Sequence, residues 1–395
     1  MAALLLMSCD GDGAGDVATA PSTTAATTSA PTTASPTTAT SATATTTGST
    51  TAGATAASTS TAAPTTVPPT TAAAPGVAQL GDGLVEAMSP DGSNVMVSRV
   101  IEGLSVPGCE GQPEPVLVLA PVAGGEAVAA LPDNPEYNGT VTDLGSGRVA
   151  LVAGCEEFLS GIVVADQAPT GALSGATEVP SPSGQPIDAI LDIGAADPAA
   201  LVALAGRFGA TGNETAVVRI DLATGVTTEL LQTGEADFLF GVLADGTYAL
   251  GDGVEVRVVH PITGQELSAY PGEFLAVSPD GTTLAVVGPG VVLVSPPAAP
   301  APLLEPPAGE APVIDAAWAP AGDRLAIVRR GVEDTLAVVD RAGTVIELDT
   351  ARRIVRLAWS ADGSTLAYTR LLEGTGGELG DFEVRAVRVP PATAG

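Results

Sequence analysis

The stretch Ala276 to Val287, AVSPDGTTLAVV, returns at Met88 (MSPDGSNVMVS), Ala317 (AWAPAGDRLAIV) and Ala358 (AWSADGSTLAYT). A phrase repeated in register confines the chain to a repeat architecture, in which each unit buries its apolar faces only against its neighbours. The phrase spells strand, tight turn, strand. Ser278 opens the turn, Pro279 presets φ at the second position, Asp280 can bond its own backbone, and Gly281 supplies a positive φ. Leu284, Val286 and their equivalents are β-formers with at least one buried face.

Three degenerate copies align with these: Val141 to Val152, Ile190 to Leu204 and Gly241 to Leu250. The turn glycines 92, 147, 246, 281, 322 and 363, with Pro198 in place of the third, then lie on average about 45 residues apart, close to the four-strand period of a propeller blade. Each unit runs on into an outer hairpin, clearest in Val217 to Leu231 and Leu336 to Leu348. The pattern predicts an all-β, seven-bladed β-propeller over residues 76–395. Six blades follow if the Ile190 copy, which has lost its turn, is no blade, and eight also stay open. The seventh unit stops before an outermost strand of its own. Val77 to Leu80 fills that gap by pairing the two ends of the domain, which also covers an exposed edge.

The S-P-D-G-x-x-[Leu/Ile]-Ala phrase, with Trp318 and Trp359 just before their turns, resembles the TolB-like, or WD-repeat-like, β-propeller family. The resemblance covers about residues 76–395 and implies the fold. It implies little about activity, because its motif residues make turns and inter-blade packing.

Ahead of the repeats, Met1 to Cys9 (MAALLLMSC) resembles the end of a bacterial lipoprotein signal segment, with Leu6, Met7, Ser8 and Cys9 matching the lipobox. The match implies that Cys9 is lipidated and anchors an extracytoplasmic protein to the cell membrane. Two departures are the absence of Lys or Arg before the apolar run and the shortness of that run; a true start upstream of Met1 accounts for both. Asp10, Asp12 and Asp16 alternate with glycine, but a calcium loop of the EF-hand kind needs Glu where Pro21 stands, so a solvated spacer is expected. Residues 17–75 carry no charge and no aromatic, only Thr, Ala, Ser, Pro, Gly and some Val. Such a tract buries too little to fold, and residues 10–75 are expected to be a disordered stalk, open to O-glycosylation.

Charge excludes several partners. The chain has 45 acidic against 15 basic residues, all of them Arg, for a net charge of -30. That surface disfavours nucleic acid and anionic lipid. A single His, His260, removes most zinc sites and most His-based acid–base machinery, and Cys9, Cys109 and Cys155 make no metal-ligand cluster, so neither metal nor other cofactor is expected. His260 precedes Pro261 without an evident nucleophile nearby. Asp91, Asp280 and Asp362 read as turn caps, and Trp318 and Trp359 as inter-blade core. No nucleophile elbow, phosphate loop or zinc-protease motif occurs, and no catalytic residue is assigned.

Two function classes follow. One is a monomeric protein- or ligand-binding scaffold at the cell envelope. The other is a propeller enzyme, a metal-dependent lactonase or glycan-processing type, with carboxylates gathered at the axial channel. Cys109 and Cys155 fall just after the second strand of consecutive units, in VPGCEG and AGCEEF, and are expected to form a disulfide. Seven of the 15 arginines lie between 324 and 356 among five acidic residues. Arg329, Arg330, Arg352, Arg353 and Arg356 are therefore expected to form one patch for an acidic protein or an anionic wall polymer.

Overall fold

Runs such as LAVV, RLAIV and TLAYT are apolar at successive positions, a pattern suited to strands buried on both faces. In the computed structural model that is what the middle of every sheet does. The structure describes residues 77–100, 115–132, 140–155, 158–180, 183–184, 187–209, 212–233, 237, 239–287, 290–304, 312–372 and 381–391. The expectations for the N-terminal segment, the stalk and Cys109 lie outside these residues.

The first strand, β1 (Val77–Asp82), belongs to the last blade. Blade 1 is β2 (Leu84–Met88), β3 (Asn94–Val100), β4 (Pro115–Pro121) and β5 (Val128–Ala129). Blade 2 is β6 (Thr140–Gly145), β7 (Arg148–Cys155), β8 (Phe158–Gln167) and β9 (Leu173–Glu178). In blade 3 a short β10 (Ser183–Gly184) adds in parallel outside β11 (Ala189–Ala196), β12 (Ala200–Gly209), β13 (Gly212–Asp221) and β14 (Val226–Gln232). Blade 4 is β15 (Leu239–Val242), β16 (Tyr248–Gly251), β17 (Glu255–Val259) and β18 (Glu266–Pro271). Blade 5 is β19 (Glu273–Val277), β20 (Leu284–Val287), β21 (Val291–Val294) and β22 (Ala301–Leu304). Blade 6 is β23 (Val313–Trp318), β24 (Arg324–Arg329), β25 (Asp334–Asp340) and β26 (Val345–Ala351). Blade 7 is β27 (Ile354–Trp359), β28 (Thr365–Leu371) and β29 (Phe382–Arg388), completed on the outside by β1.

Seven blades result, and the Ile190 copy is one of them. It has lost the glycine of the turn but not the cap: Asp197 Oδ1 accepts from the N–H groups of Ala199 at 2.7 Å and Ala200 at 2.8 Å. The closure expected from Val77 to Leu80 is also present. β1 runs antiparallel to β29, with Val77 opposite Val387 and Asp82 opposite Glu383.

Seven apolar clusters hold the ring, each straddling one pair of neighbouring blades. The period-two alternation of a strand makes this division. On β24, Leu325 and Ile327 pack toward blade 5, whereas Ala326 and Val328 pack toward blade 7. The seventh cluster joins Val85, Val95 and Val97 of blade 1 to Ala367 and Val384 of blade 7, so the closing interface is built like the other six.

Candidate functional site

Successive strands run up and down, so the connections alternate between two faces. Those from first to second and from third to fourth strand never exceed six residues. This turn face carries the repeated phrase, and its caps are as the sequence predicts. Asp280 Oδ1 accepts from Ser278 Oγ at 2.5 Å and from the hydroxyl and N–H of Thr282 at 2.9 and 3.1 Å. Asp362 accepts from Ser360 Oγ at 2.7 Å and from the N–H of Ser364 at 2.9 Å. These bonds, the Ser278 and Ser360 hydroxyls foremost, hold the Asp280 and Asp362 carboxyls down at about 2. Asp91 is capped in the same way by Ser89 and Ser93.

The tryptophans join neighbouring blades. Trp318 Nε1 donates to the carbonyl of Ala276 at 3.4 Å, and Trp359 Nε1 to that of Ala317 at 2.9 Å. Each reaches the residue 42 positions back, at the same place on the preceding blade. Arg341 and Arg324 cover the two rings, with 5.3 and 5.5 Å to the ring centres. His260 caps the β17–β18 turn, its Nδ1 accepting from Ile262 N at 3.2 Å and Thr263 N at 3.3 Å.

The opposite face receives the long connections, among them residues 101–114 between β3 and β4 and 372–381 between β28 and β29. The innermost strands start there, and several carry a charge within an otherwise apolar run. Arg356 on β27 points its Nη1 at Glu86 Oε2 on β2, 3.7 Å away, with side-chain exposures of 22% and 6%. Glu86 Oε1 also accepts from Ser98 Oγ at 2.9 Å, yet burial holds its carboxyl above the usual range. Arg356 sits at φ 57 where β27 bulges between Val355 and Leu357, and β2 bulges between Val85 and Ala87. Two strand irregularities thus bring this cation and this anion together across the closing interface.

Arg356 also bears on Asp315, on β23 of blade 6. Burial among the inner strands pushes the Asp315 carboxyl up to about 6, although the N–H groups of Ala316 and Arg356 and the Arg356 charge all favour its ionised form. Glu273 at the start of β19 is raised too, by burial, with Arg330 opposing. Asp192 on β11 is 8% exposed and accepts from Phe240 N at 2.9 Å and Ile193 N at 2.8 Å; burial raises it as well. Among the described residues no three His, Cys, Asp or Glu side chains are grouped to hold a metal ion.

The five arginines singled out in the sequence take separate stations. Arg330, Arg352 and Arg353 stand on connections of the long-connection face, the first two exposed and the third half-buried. Arg329 ends β24 and donates from Nη2 to Glu347 Oε1 at 2.6 Å on its own blade. Arg356 faces the axis. Arg352 instead shares a cleft with Arg370, which was not foreseen. Cys155 ends β7. The axial carboxyls were missed as well, though a signal existed: a lone charge inside an apolar inner strand, as in LVEAM, ILDIG and VIDAAW.

No protein-family model matches this sequence, and no curated protein matches it. Among solved structures it is similar to TolB from Acinetobacter baumannii, with 16% identity, a TM-score of 0.44 and 62% of this chain covered. The match spans 65% of the length of that structure. By its own seven closed sheets and its recurrent Ser-x-Asp-Gly turn, the feature on which the TolB-like resemblance rests, the chain is a seven-bladed β-propeller.

Proposed function

We propose that the chain is a partner-binding propeller, monomeric and held outside the cytoplasmic membrane by a lipid on Cys9, with residues 10–75 as its spacer. The observation that carries the reading is the division of labour between the two faces. One is closed by short, capped turns; the other gathers the long connections and the loop arginines. Binding surfaces are commonly built from long connections on a rigid scaffold. The partner is an acidic protein recognised through Arg330, Arg352 and Arg353, cations on connections of that face in a chain of net charge -30.

The test is capture from intact cells by the full chain and by a variant carrying Arg352→Glu and Arg353→Glu. Salt-sensitive capture of an acidic protein by the parent and its loss in the variant, at nearly equal melting temperature, is the expected result. Equal capture by both, or capture of a wall polymer alone, removes the proposal. Cys9→Ser should move the protein from the membrane to the soluble fraction; unchanged retention would refute the anchor.

A second reading, an enzyme working at the axis, draws on one observation: Asp315, pushed to about 6 beside Arg356, titrates where a proton donor and acceptor is useful. Hydrolysis of simple lactones by the parent, lost in Asp315→Asn while partner capture persists, would favour it.

A further inference from the structure

Between blades 6 and 7, on the long-connection face, lies a cleft of about 260 Å³ lined by Glu333, Thr350, Ala351, Arg352, Arg370 and Leu371, with Leu372 beside them. Three elements converge there. The β24–β25 hairpin brings Glu333, the end of β26 and the step into β27 bring Thr350 to Arg352, and the end of β28 brings Arg370 and Leu371.

Arg370 is held by groups that do not line the cleft. Its Nε donates to Glu383 Oε2 at 2.8 Å, and its Nη1 lies 3.9 Å from Asp349 Oδ2. Arg385 Nε donates to the same Glu383 oxygen at 2.9 Å, and Tyr368 donates its hydroxyl proton to Asp349 at 2.5 Å. Two guanidiniums and two carboxylates form a charge-balanced network, and one of its members reaches the cleft. A guanidinium already fixed in this way loses little further freedom when an anion arrives. Arg352, exposed, also lines the cleft.

The volume lies just below the roughly 300 Å³ at which small-molecule pockets begin, so it suits one group the size of a side chain. The lining offers guanidinium donors, one hydroxyl, and the aliphatic surfaces of Ala351 and Leu371. That combination matches a carboxylate on a short hydrocarbon stem. An inorganic phosphate would leave the apolar part unused. Nearby, Val332 at the hairpin tip is 99% exposed and Leu372 is 36% exposed, an apolar rim for residues flanking the carboxylate.

We propose that this cleft is an anchor pocket for a carboxylate borne on a short aliphatic stem, either a Glu side chain of an acidic protein segment or a free dicarboxylate. The proposal rests on the partner-binding reading above and names the chemistry that one station on that face accepts.

Two probes separate the sources on the full-length chain: glutarate, and an acetylated, amidated peptide Ala-Ala-Glu-Leu-Ala, with its Gln counterpart as reference. Saturation-transfer NMR should detect at least one carboxylate probe, with a dissociation constant of about 1 mM. The Gln peptide should bind at least about tenfold weaker, a loss equal to about 1.4 kcal/mol. Arg352→Gln should weaken binding by a similar factor at unchanged melting temperature, whereas Arg388→Gln, at the turn-face end of β29, should not. Tighter binding of the peptide assigns the pocket to a protein segment, and equal or tighter binding of glutarate to a small acid. Equal binding of the Glu and Gln peptides, undiminished binding by Arg352→Gln, displacement by inorganic phosphate at lower concentration, or no binding below about 10 mM each overturns the proposal. Partner capture that survives any of those results leaves the broader reading standing. Probe binding without a captured partner does the reverse.

Discussion

Two sets of carboxyls in this propeller answer to pH with opposite signs. Asp362 is held down at about 2 by the Ser360 and Ser364 bonds, so its folded value lies below its unfolded one. The stability it contributes is present above about pH 4 and is lost as pH falls through about 2. Asp362→Asn should therefore differ from the parent in urea midpoint at pH 7, and the gap should close on approaching pH 2. Asp315 is the reverse case, with a folded value of about 6 above its unfolded one. Between about pH 4 and pH 6 the folded chain keeps a proton that the unfolded chain releases, so stability falls as pH rises through that window. Asp315→Asn should gain on the parent over the same interval; parallel urea midpoints from pH 4 to 7 would refute the assignment. The caps could be read from the sequence because an Asx turn is local. For the raised carboxyls the sequence marks the position, a lone charge in an apolar strand, but not the burial, which depends on which inner strands face each other and on bulges such as those at Glu86 and Arg356.

At the level of strands and turns, the closing pair β1–β29 is the element on which the ring depends. Removing residues 1–82 should expose the β29 edge, lower the melting temperature by about 5 °C or more, and bring concentration-dependent association through the bare edge. A truncated chain that melts with the parent and stays monomeric on gel filtration would show that β1 is dispensable. Gly272, at the step from β18 to β19, has φ 128, and a Cβ there would run into the carbonyl of Val287. Gly272→Ala should cost more than about 3 kcal/mol in a denaturation experiment, since both the backbone conformation and the space exclude a side chain. Most of this layer was legible: the turn phrase and outer hairpins located seven blades, and Val77 to Leu80 was recognisable as the missing strand. Blade 3 was the weakest signal because its turn lost the glycine, although Asp197 kept the cap. The short parallel β10 was not visible at all, because two residues, Ser183 and Gly184, carry no periodicity.

For the whole molecule, a net charge of -30 sets carboxylates against one another over most of the surface. Screening should relieve that repulsion, so raising NaCl from about 0.05 M to about 0.5 M should raise the melting temperature even though individual Arg–carboxylate pairs weaken. A fall over that range would mean that ion pairs such as Arg257–Asp237, at 2.6 Å, outweigh the repulsion. The ring closure has a further, mechanical consequence. Val77 lies opposite Val387 at the turn-face end of blade 7, whereas Asp82 lies opposite Glu383 at the other end. A tether pulling at Val77 while a partner holds the long-connection face would draw β1 along its own axis. Antiparallel hydrogen bonds run perpendicular to that axis, so the rungs between β1 and β29 would be sheared together instead of peeled one after another. Under the anchor proposed above, a propeller clasped in this way would meet load on its N-terminal strand in the direction in which the β1–β29 pair is strongest.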